Sequence, residues 1–260
     1  MSFETIKLAT EGHVAIITLN RPDKRNAISP HMIEELLAAL DEIESGPSRV
    51  VILTGAGKAF CAGMDLDALR VSADASHSQH LEDSRRAARL FRRLWSFPKP
   101  TIAAVNGAAI AGGSGLATLC DFTLASAEAN FGYTEVNIGF IPAFVSVFLA
   151  RQIGQKRARD LLLSARIFDA KEAYEMGLVT MVVAGDCLLG RAHEIASTIV
   201  AASPSSIART KRLLLSSELE AVDRDLEAAI AASAAARATP DFKEGLVAFL
   251  ERRPPKWANY

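Results

Sequence analysis

The sequence of 260 residues has little cysteine and almost no excess of charge of either sign. Its three cysteines, Cys61, Cys120 and Cys187, are far apart and odd in number, which argues against a disulfide scaffold and favours a reducing, cytoplasmic compartment. Twenty-nine basic residues offset thirty acidic ones, so the net charge of −1 gives no general attraction to nucleic acid.

Signals for export, membrane insertion and metal binding are also missing. The N-terminal residues lack a basic segment followed by an apolar one, so we expect no secretory signal. The charge-free run 101–120 is long enough to span a bilayer, but its glycines predict a buried strand, a turn and the start of a helix instead. No paired Asp, Glu or Cys completes a metal site around His77 and His80, so we expect no metal.

Strands and helices alternate in the first part of the chain, which predicts an α/β fold. Runs of β-branched residues at 13–20 and 49–54 are typical of strands, and 101–105 predicts another buried one. Between the first two runs, Ser29 before Pro30 predicts the start of a helix. Half of all residues are hydrophobic, so the chain can build a sizeable core.

The composition changes after about residue 185. Segments rich in Ala, Leu, Glu and Arg follow two further helix starts, at 203–204 and 239–240. The sequence therefore predicts a core domain at 1–200 and a helical region at 201–260. Such a region can pack on its own domain or on a neighbouring subunit.

Two glycine-containing loops, 58–66 and 106–116, each follow a predicted strand. Glycine lets a backbone approach a ligand closely, and the first amides of a helix have no internal partner. A Gly-Gly pair at a helix start therefore offers donors to a developing negative oxygen. Close packing of helix on strand is the alternative. Neither loop matches a nucleotide-phosphate motif, and Ser114 does not lie in a G-x-S-x-G motif.

Glu135 is the only charged residue between Glu128 and Arg151. Burial of a carboxylate in so apolar a stretch would raise its pKa, which suits a general acid or base near neutrality. A salt-bridged or exposed glutamate is the alternative.

These three segments together resemble the crotonase superfamily, also called the enoyl-CoA hydratase/isomerase family. The resemblance also includes residues 21–29, 167–179 and 242–253 and covers nearly the whole chain. It implies a spiral of β-β-α units followed by a helical trimerisation region, assembled as a trimer or a dimer of trimers. It also implies a coenzyme A thioester as substrate, with no separate cofactor.

The resemblance implies roles for particular residues. The two oxyanion donors fall on the backbone amides of Met64 and Gly112, and the catalytic carboxylate falls on Glu135. Family hydratases carry a second glutamate three residues beyond the Gly-loop donor. Here that position is Gly115, which we therefore expect to face the thioester. The other residues that the resemblance assigns to substrate binding are Lys24, Arg25, Ala27, Ala62, Asp65, Leu66, Phe249 and Arg252.

A single carboxylate favours double-bond isomerisation or other one-base chemistry. Hydration of a 2-enoyl thioester despite Gly115 stays open, as does a catalytically silent protein that binds acyl-CoA or RNA. Five arginines between 85 and 93 predict a solvated, amphipathic helix, with attraction of CoA phosphates or RNA as minor alternatives. The acyl pocket is predicted to be apolar, although Phe144 and Phe148 fit the core better than a pocket.

Overall fold

The computed structural model describes residues 3–258, in which ten strands and ten α-helices are present. The strands are β1 (Ile6–Glu11), β2 (Val14–Leu19), β3 (Val50–Gly55), β4 (Ala59–Cys61), β5 (Thr101–Val105), β6 (Ala108–Ile110), β7 (Phe122–Ser126), β8 (Asn130–Gly132), β9 (Ile167–Asp169) and β10 (Met181–Val183). The helices are α1 (Pro30–Ser45), α2 (Leu66–Val71), α3 (His77–Trp95), α4 (Gly112–Thr118), α5 (Ala143–Ser164), α6 (Ala170–Glu175), α7 (Leu188–Ala201), α8 (Pro204–Ser216), α9 (Leu219–Arg237) and α10 (Pro240–Leu250).

The strands form two sheets. One has six strands in the order β1-β2-β3-β5-β7-β10, and the other has four in the order β4-β6-β8-β9. The β1–β2 and β8–β9 pairs are antiparallel, and the other ladders are parallel. In each of the pairs β3–β4, β5–β6 and β7–β8, the first strand joins the six-stranded sheet and the second joins the four-stranded sheet before the chain enters a helix. This confirms the predicted α/β class and its repeated β-β-α unit.

Local sequence signals set the helix starts as predicted. The Ser29 hydroxyl accepts a hydrogen bond of 3.1 Å from the Met32 amide, and Pro30 is the first residue of α1. Ser203 and Thr239 cap α8 and α10 in the same way. These caps satisfy amides that have no partner inside the helix.

The charge-free run 101–120 forms β5, β6 and α4, so the predicted strand and helix start are confirmed and the short strand β6 lies between them, which was not predicted. Among residues 3–258, none of the helices combines the length and the hydropathy that a membrane span requires.

The C-terminal helices pack on their own chain. α9 lies against α3 and α5, and its Val222, Leu226 and Ile230 belong to the main hydrophobic core. By contrast, α8 leaves Leu213 and Leu214 about three-quarters exposed, at 74% and 73%. The helical character of the region is confirmed, whereas the domain boundary at 200 and a role in trimerisation stay predictions.

Candidate active site

The loop after β4 is held by a short parallel bridge between Ile28 and Met64. The Ile28 amide donates to the Gly63 carbonyl at 2.8 Å, and the Asp65 amide donates to the Ile28 carbonyl at 2.9 Å. These bonds use the groups on either side of Met64, so the Met64 amide is left outside the bridge. Gly63 has a φ of 89°, in the left-handed region that favours glycine.

The loop before α4 turns at Ala111, whose φ of 52° and ψ of −125° are rare for a residue with a side chain. The Ala111 amide donates to the Gly132 carbonyl at 2.6 Å. Ser114 donates to the Ala109 carbonyl at 2.5 Å and accepts from the Gly132 amide at 3.2 Å. Ser114 is therefore a fixed structural group. Gly112 is the first residue of the helix, so its amide has no acceptor within α4.

The two loops touch where their glycines face each other. A Cβ atom on Gly63 would lie 2.9 Å from the Ile110 carbonyl oxygen and 3.4 Å from the Gly112 nitrogen. A Cβ atom on Gly113 would lie 2.2 Å from the Cys61 carbonyl oxygen. Only glycine permits this approach, so close packing is one role of these residues. The same packing brings the loops that carry the Met64 and Gly112 amides together.

Glu135 begins a 3₁₀ turn, Glu135–Ile138, that follows β8. Its Oε2 atom is buried and finds no hydrogen-bond partner among residues 3–258. Burial raises the pKa of Glu135 to about 7. No ion pair to Glu135 occurs among residues 3–258, and its Oε2 atom is buried, although the residue as a whole is half-buried.

The turn that carries Glu135 rests on α10. A Cβ atom on Gly139 would lie 2.2 Å from the Asp241 carbonyl oxygen, and one on Gly245 would lie 2.4 Å from the Ile138 carbonyl oxygen. This close backbone contact fixes the turn, and with it the position of the carboxylate.

Met64, Gly112 and Glu135 all line one cavity of about 240 Å³. Its walls are mostly apolar and come mainly from α2, α3, the 3₁₀ turn and α5. The apolar side chains include those of Leu66, Leu69, Phe91, Ile138, Phe140, Ile141, Phe144, Val145 and Phe249. A buried carboxylate, two loop amides and an apolar space thus occur together, which is the arrangement needed to bind and deprotonate an apolar carbonyl compound.

Comparison with known proteins identifies the family. The sequence profile of the enoyl-CoA hydratase/isomerase family matches residues 9–260. The chain belongs to this family. A putative enoyl-CoA hydratase of Thermus thermophilus is 45% identical over 248 residues, which cover 95% of this chain and 98% of that protein. A short-chain-enoyl-CoA hydratase of Clostridium acetobutylicum is 35% identical, with 97% of each chain covered.

A solved structure shows the same fold. The crystal structure of an enoyl-CoA hydratase/isomerase from Xanthobacter autotrophicus superimposes with a TM-score of 0.89 at 35% identity, and 97% of this chain and 98% of that chain are covered. The crotonase resemblance is therefore confirmed, and the protein is an enzyme of this family.

The position of the second family glutamate is filled by other side chains. A Cβ atom on Gly115 would lie 2.5 Å from Cε1 of Phe91 and 2.6 Å from Cγ1 of Val145. Both neighbours line the cavity, whereas Gly115 itself does not. That Gly115 faces the thioester stays a prediction, and its nearest neighbours in the structure are the cavity-lining side chains of Phe91 and Val145.

Of the residues that the family resemblance assigns to the substrate, Arg25, Ala62, Leu66 and Phe249 line the cavity. The others lie around it. The Ala27 carbonyl accepts a hydrogen bond from Arg21 at 2.6 Å, and Arg21 also pairs with Asp65, the N-cap of α2, at 2.8 Å. Lys24 forms an ion pair with Asp67 at 3.0 Å. Arg252 is exposed just after α10. Contact of all these residues with CoA stays a prediction.

Sequence reasoning missed several cavity residues of this enoyl-CoA hydratase/isomerase family member. The amphipathic pattern of α3 gives no sign that Phe91 lines a cavity, and the spacing of Phe144 and Phe148 favours the core for both. Phe148 is indeed buried in the core, at 3% exposure, but Phe144 lines the cavity. Arg237 was missed entirely. It is the only charged residue between Glu227 and Asp241, which is the same signal that singled out Glu135.

Proposed function

We propose that this enzyme isomerises the double bond of an enoyl-CoA thioester, converting a 3-enoyl into a 2-enoyl group. The observation that carries the proposal is that Glu135 is the one carboxylate among the described residues that lines the cavity, and that its buried Oε2 atom has no polar partner there. One carboxylate suffices for isomerisation, because the proton that it removes is the proton that it returns.

The reaction balances without a co-reactant. The thioester carbonyl oxygen accepts hydrogen bonds from the Met64 and Gly112 amides, which stabilise the negative charge of the dienolate. The Glu135 carboxylate takes a proton from C2, and the electron pair of that C–H bond moves into the conjugated system. The protonated Glu135 then delivers the proton to C4, where the electron pair forms the new C–H bond. No atom is gained or lost.

The ionisation of Glu135 sets the expected pH dependence. Its pKa is raised to about 7 by burial, and only the ionised form removes a proton. The value of kcat/KM for a 3-enoyl-CoA should therefore rise as the pH increases through about 7 and level off above it. A rate that falls over this range would contradict the role of base.

Hydration of a 2-enoyl-CoA is the second candidate, favoured by the names of the relatives from Thermus and Clostridium. Hydration needs a water molecule held at C3, for which family hydratases use two carboxylates. The space that the second carboxylate needs is taken here by Phe91 and Val145. Both are apolar and cannot orient water, so we expect hydration to be slow.

The deciding experiment supplies a 3-enoyl-CoA and a 2-enoyl-CoA of equal chain length side by side and identifies products by chromatography and mass spectrometry. We expect rapid conversion of the 3-enoyl ester with unchanged mass and slow gain of water by the 2-enoyl ester. If hydration is the faster reaction, the assignment to isomerase is wrong. If neither ester reacts, yet both bind in calorimetry, the protein is a silent acyl-CoA binder.

A further inference from the structure

A second buried ionisable group lines the cavity. Arg237 is the last residue of α9 and is only 4% exposed. Its guanidinium offers five N–H donors in a planar fork. The Nε atom is buried and has no hydrogen-bond partner in the described part of the chain. A buried charge without full pairing is costly, so the fold retains a destabilising group at this point.

The carboxylate nearest to this guanidinium does not satisfy it. Asp83 approaches Nη1 of Arg237 only to 3.5 Å, longer than a normal charge-assisted hydrogen bond. The same carboxylate also accepts from Gln79 at 3.1 Å and lies 3.7 Å from Arg86. Since Asp83 is shared among several donors, it leaves N–H groups of Arg237 without an acceptor, Nε among them.

Two further polar side chains near Arg237, His80 and Ser233, bring no negative charge to it. His80 is 2% exposed, and its Nδ1 atom also lacks a partner within residues 3–258. Burial and the charge of Arg237 lower the pKa of His80, so this ring is neutral near pH 7. Ser233 lines the cavity one helical turn before Arg237, and its hydroxyl is bonded to that of Ser84 at 3.1 Å.

The location of Arg237 links it to the acyl group of the substrate. It lines the cavity that holds the two loop amides and Glu135, and it also lines an adjoining void of about 70 Å³. Met64 and Leu69 line both spaces as well. An acyl chain that enters the apolar cavity brings its far end into the space that Arg237 lines.

We propose that Arg237 is a specificity-determining residue that binds a carboxylate at the far end of the acyl chain, so that the enzyme prefers CoA thioesters of dicarboxylic acids. The guanidinium fork matches a carboxylate in bidentate geometry, and its unpaired donors find their acceptors when that group arrives. An acyl chain that ends in a methyl group leaves the buried charge unpaired, which selects against it. This inference rests on the proposed binding of an acyl-CoA in the cavity but does not depend on which reaction follows.

The test measures binding of saturated esters, which cannot react by isomerisation or hydration, and is therefore independent of the reaction. Dissociation constants of glutaryl-CoA, pentanoyl-CoA and free CoA are determined by calorimetry. Glutaryl-CoA and pentanoyl-CoA have the same number of acyl carbons and differ in the terminal carboxylate. We expect the native protein to bind glutaryl-CoA at least tenfold more tightly than pentanoyl-CoA. A ratio of one or below overturns the proposal.

Variants then assign the preference to Arg237. Arg237→Met keeps the length of the side chain and removes the charge, so it should abolish the preference or reverse it, with free CoA binding unchanged. Arg224→Met, at an exposed site of the same helix, is the matched control and should keep the preference. Arg237→Lys serves if the methionine variant does not fold, and it should reduce the ratio because lysine binds as a point charge. An unchanged ratio in a folded Arg237 variant overturns the assignment.

Discussion

Two walls of the cavity differ in the groups that they present to a ligand: one presents backbone amides and the other presents ionisable side chains. The amide wall, formed by Gly63–Met64 and Ala111–Gly112, is backbone held by bridges and close glycine contacts. The side-chain wall, formed by Glu135 and Arg237 with His80 behind it, carries buried polar atoms that have no hydrogen-bond partner within the described chain. The two walls are therefore prepared for a ligand in different ways. The backbone of the amide wall is held by hydrogen bonds and close contacts and carries no charge. The side-chain wall has buried polar atoms without partners, which a substrate can supply with a hydrogen bond.

The largest effect is expected on the side-chain wall, from Glu135→Gln. Glutamine has nearly the same shape but cannot accept the proton, so kcat for a 3-enoyl-CoA should fall about 10²–10⁴-fold. Binding of a saturated acyl-CoA, measured by calorimetry, should survive. The control is Glu227→Gln, the same change at an exposed site of α9, which should leave kcat unaltered. Retained turnover in Glu135→Gln would remove this carboxylate from the mechanism.

The next largest effect is expected on the amide wall, from Gly63→Ala. The added Cβ would press on Ile110 and Ala111 and sit in an unfavourable backbone conformation, so the Met64 amide should shift. Loss of one such donor lowers kcat about 10²–10³-fold. Gly190→Ala in α7 is the control, because a Cβ there meets open space. Full activity of Gly63→Ala would show that the wall does not need its present rigidity.

A third prediction concerns how the unfolding free energy depends on pH, through Glu135 of the side-chain wall. The pKa of Glu135 is about 7 in the folded chain against 4.5 as its ordinary value, so folding favours the protonated form. The resulting destabilisation is absent below about pH 4.5 and complete above about pH 7, where it amounts to about 3 kcal/mol. Relative to Glu135→Gln, the native protein should therefore lose unfolding free energy as the pH rises through this window. Denaturant titrations of both proteins at pH 5 and pH 8 measure it, and equal differences at the two values would refute the buried carboxylate.

The smallest effect is expected at Gly115, which packs against Phe91 and Val145. Gly115→Ala should cost about 1–3 kcal/mol of unfolding free energy, because its Cβ overpacks Phe91 and Val145. The cost should be smaller in a Phe91→Ala background, and a double-mutant cycle measures the difference. In that background, Gly115→Glu gains the space of the Phe91 ring and should raise hydration of a 2-enoyl-CoA above that of Phe91→Ala alone. Additive costs in the cycle would show that the ring does not occupy this space.

The sequence predicts much of the amide wall, because its features are local. A strand, a glycine pair and a helix start follow one another along the chain, and the caps at Ser29, Ser203 and Thr239 act within one helical turn. The raised pKa of Glu135 could also be anticipated, since no other charge lies near it in the sequence. These signals need no knowledge of how distant elements pack.

The rest could not be predicted because it depends on contacts between distant helices. What fills the space at Gly115 is decided by Phe91 on α3 and Val145 on α5, and neither is near it in the sequence. Arg237 reaches the cavity only because α9 packs against α3. Periodicity identifies the buried face of a helix, but it does not tell a core position from a cavity wall, as Phe148 and Phe144 illustrate.

The contact between the 3₁₀ turn and α10 has a consequence for biosynthesis. Gly139 and Gly245 bring the turn that bears Glu135 against a helix that the ribosome adds long after the turn itself. Domains begin to fold during synthesis, so the amide wall can form on the nascent chain while the carboxylate still lacks its support. A thioester met by such a nascent chain would find donors but no positioned base, and turnover would begin only once α10 had docked.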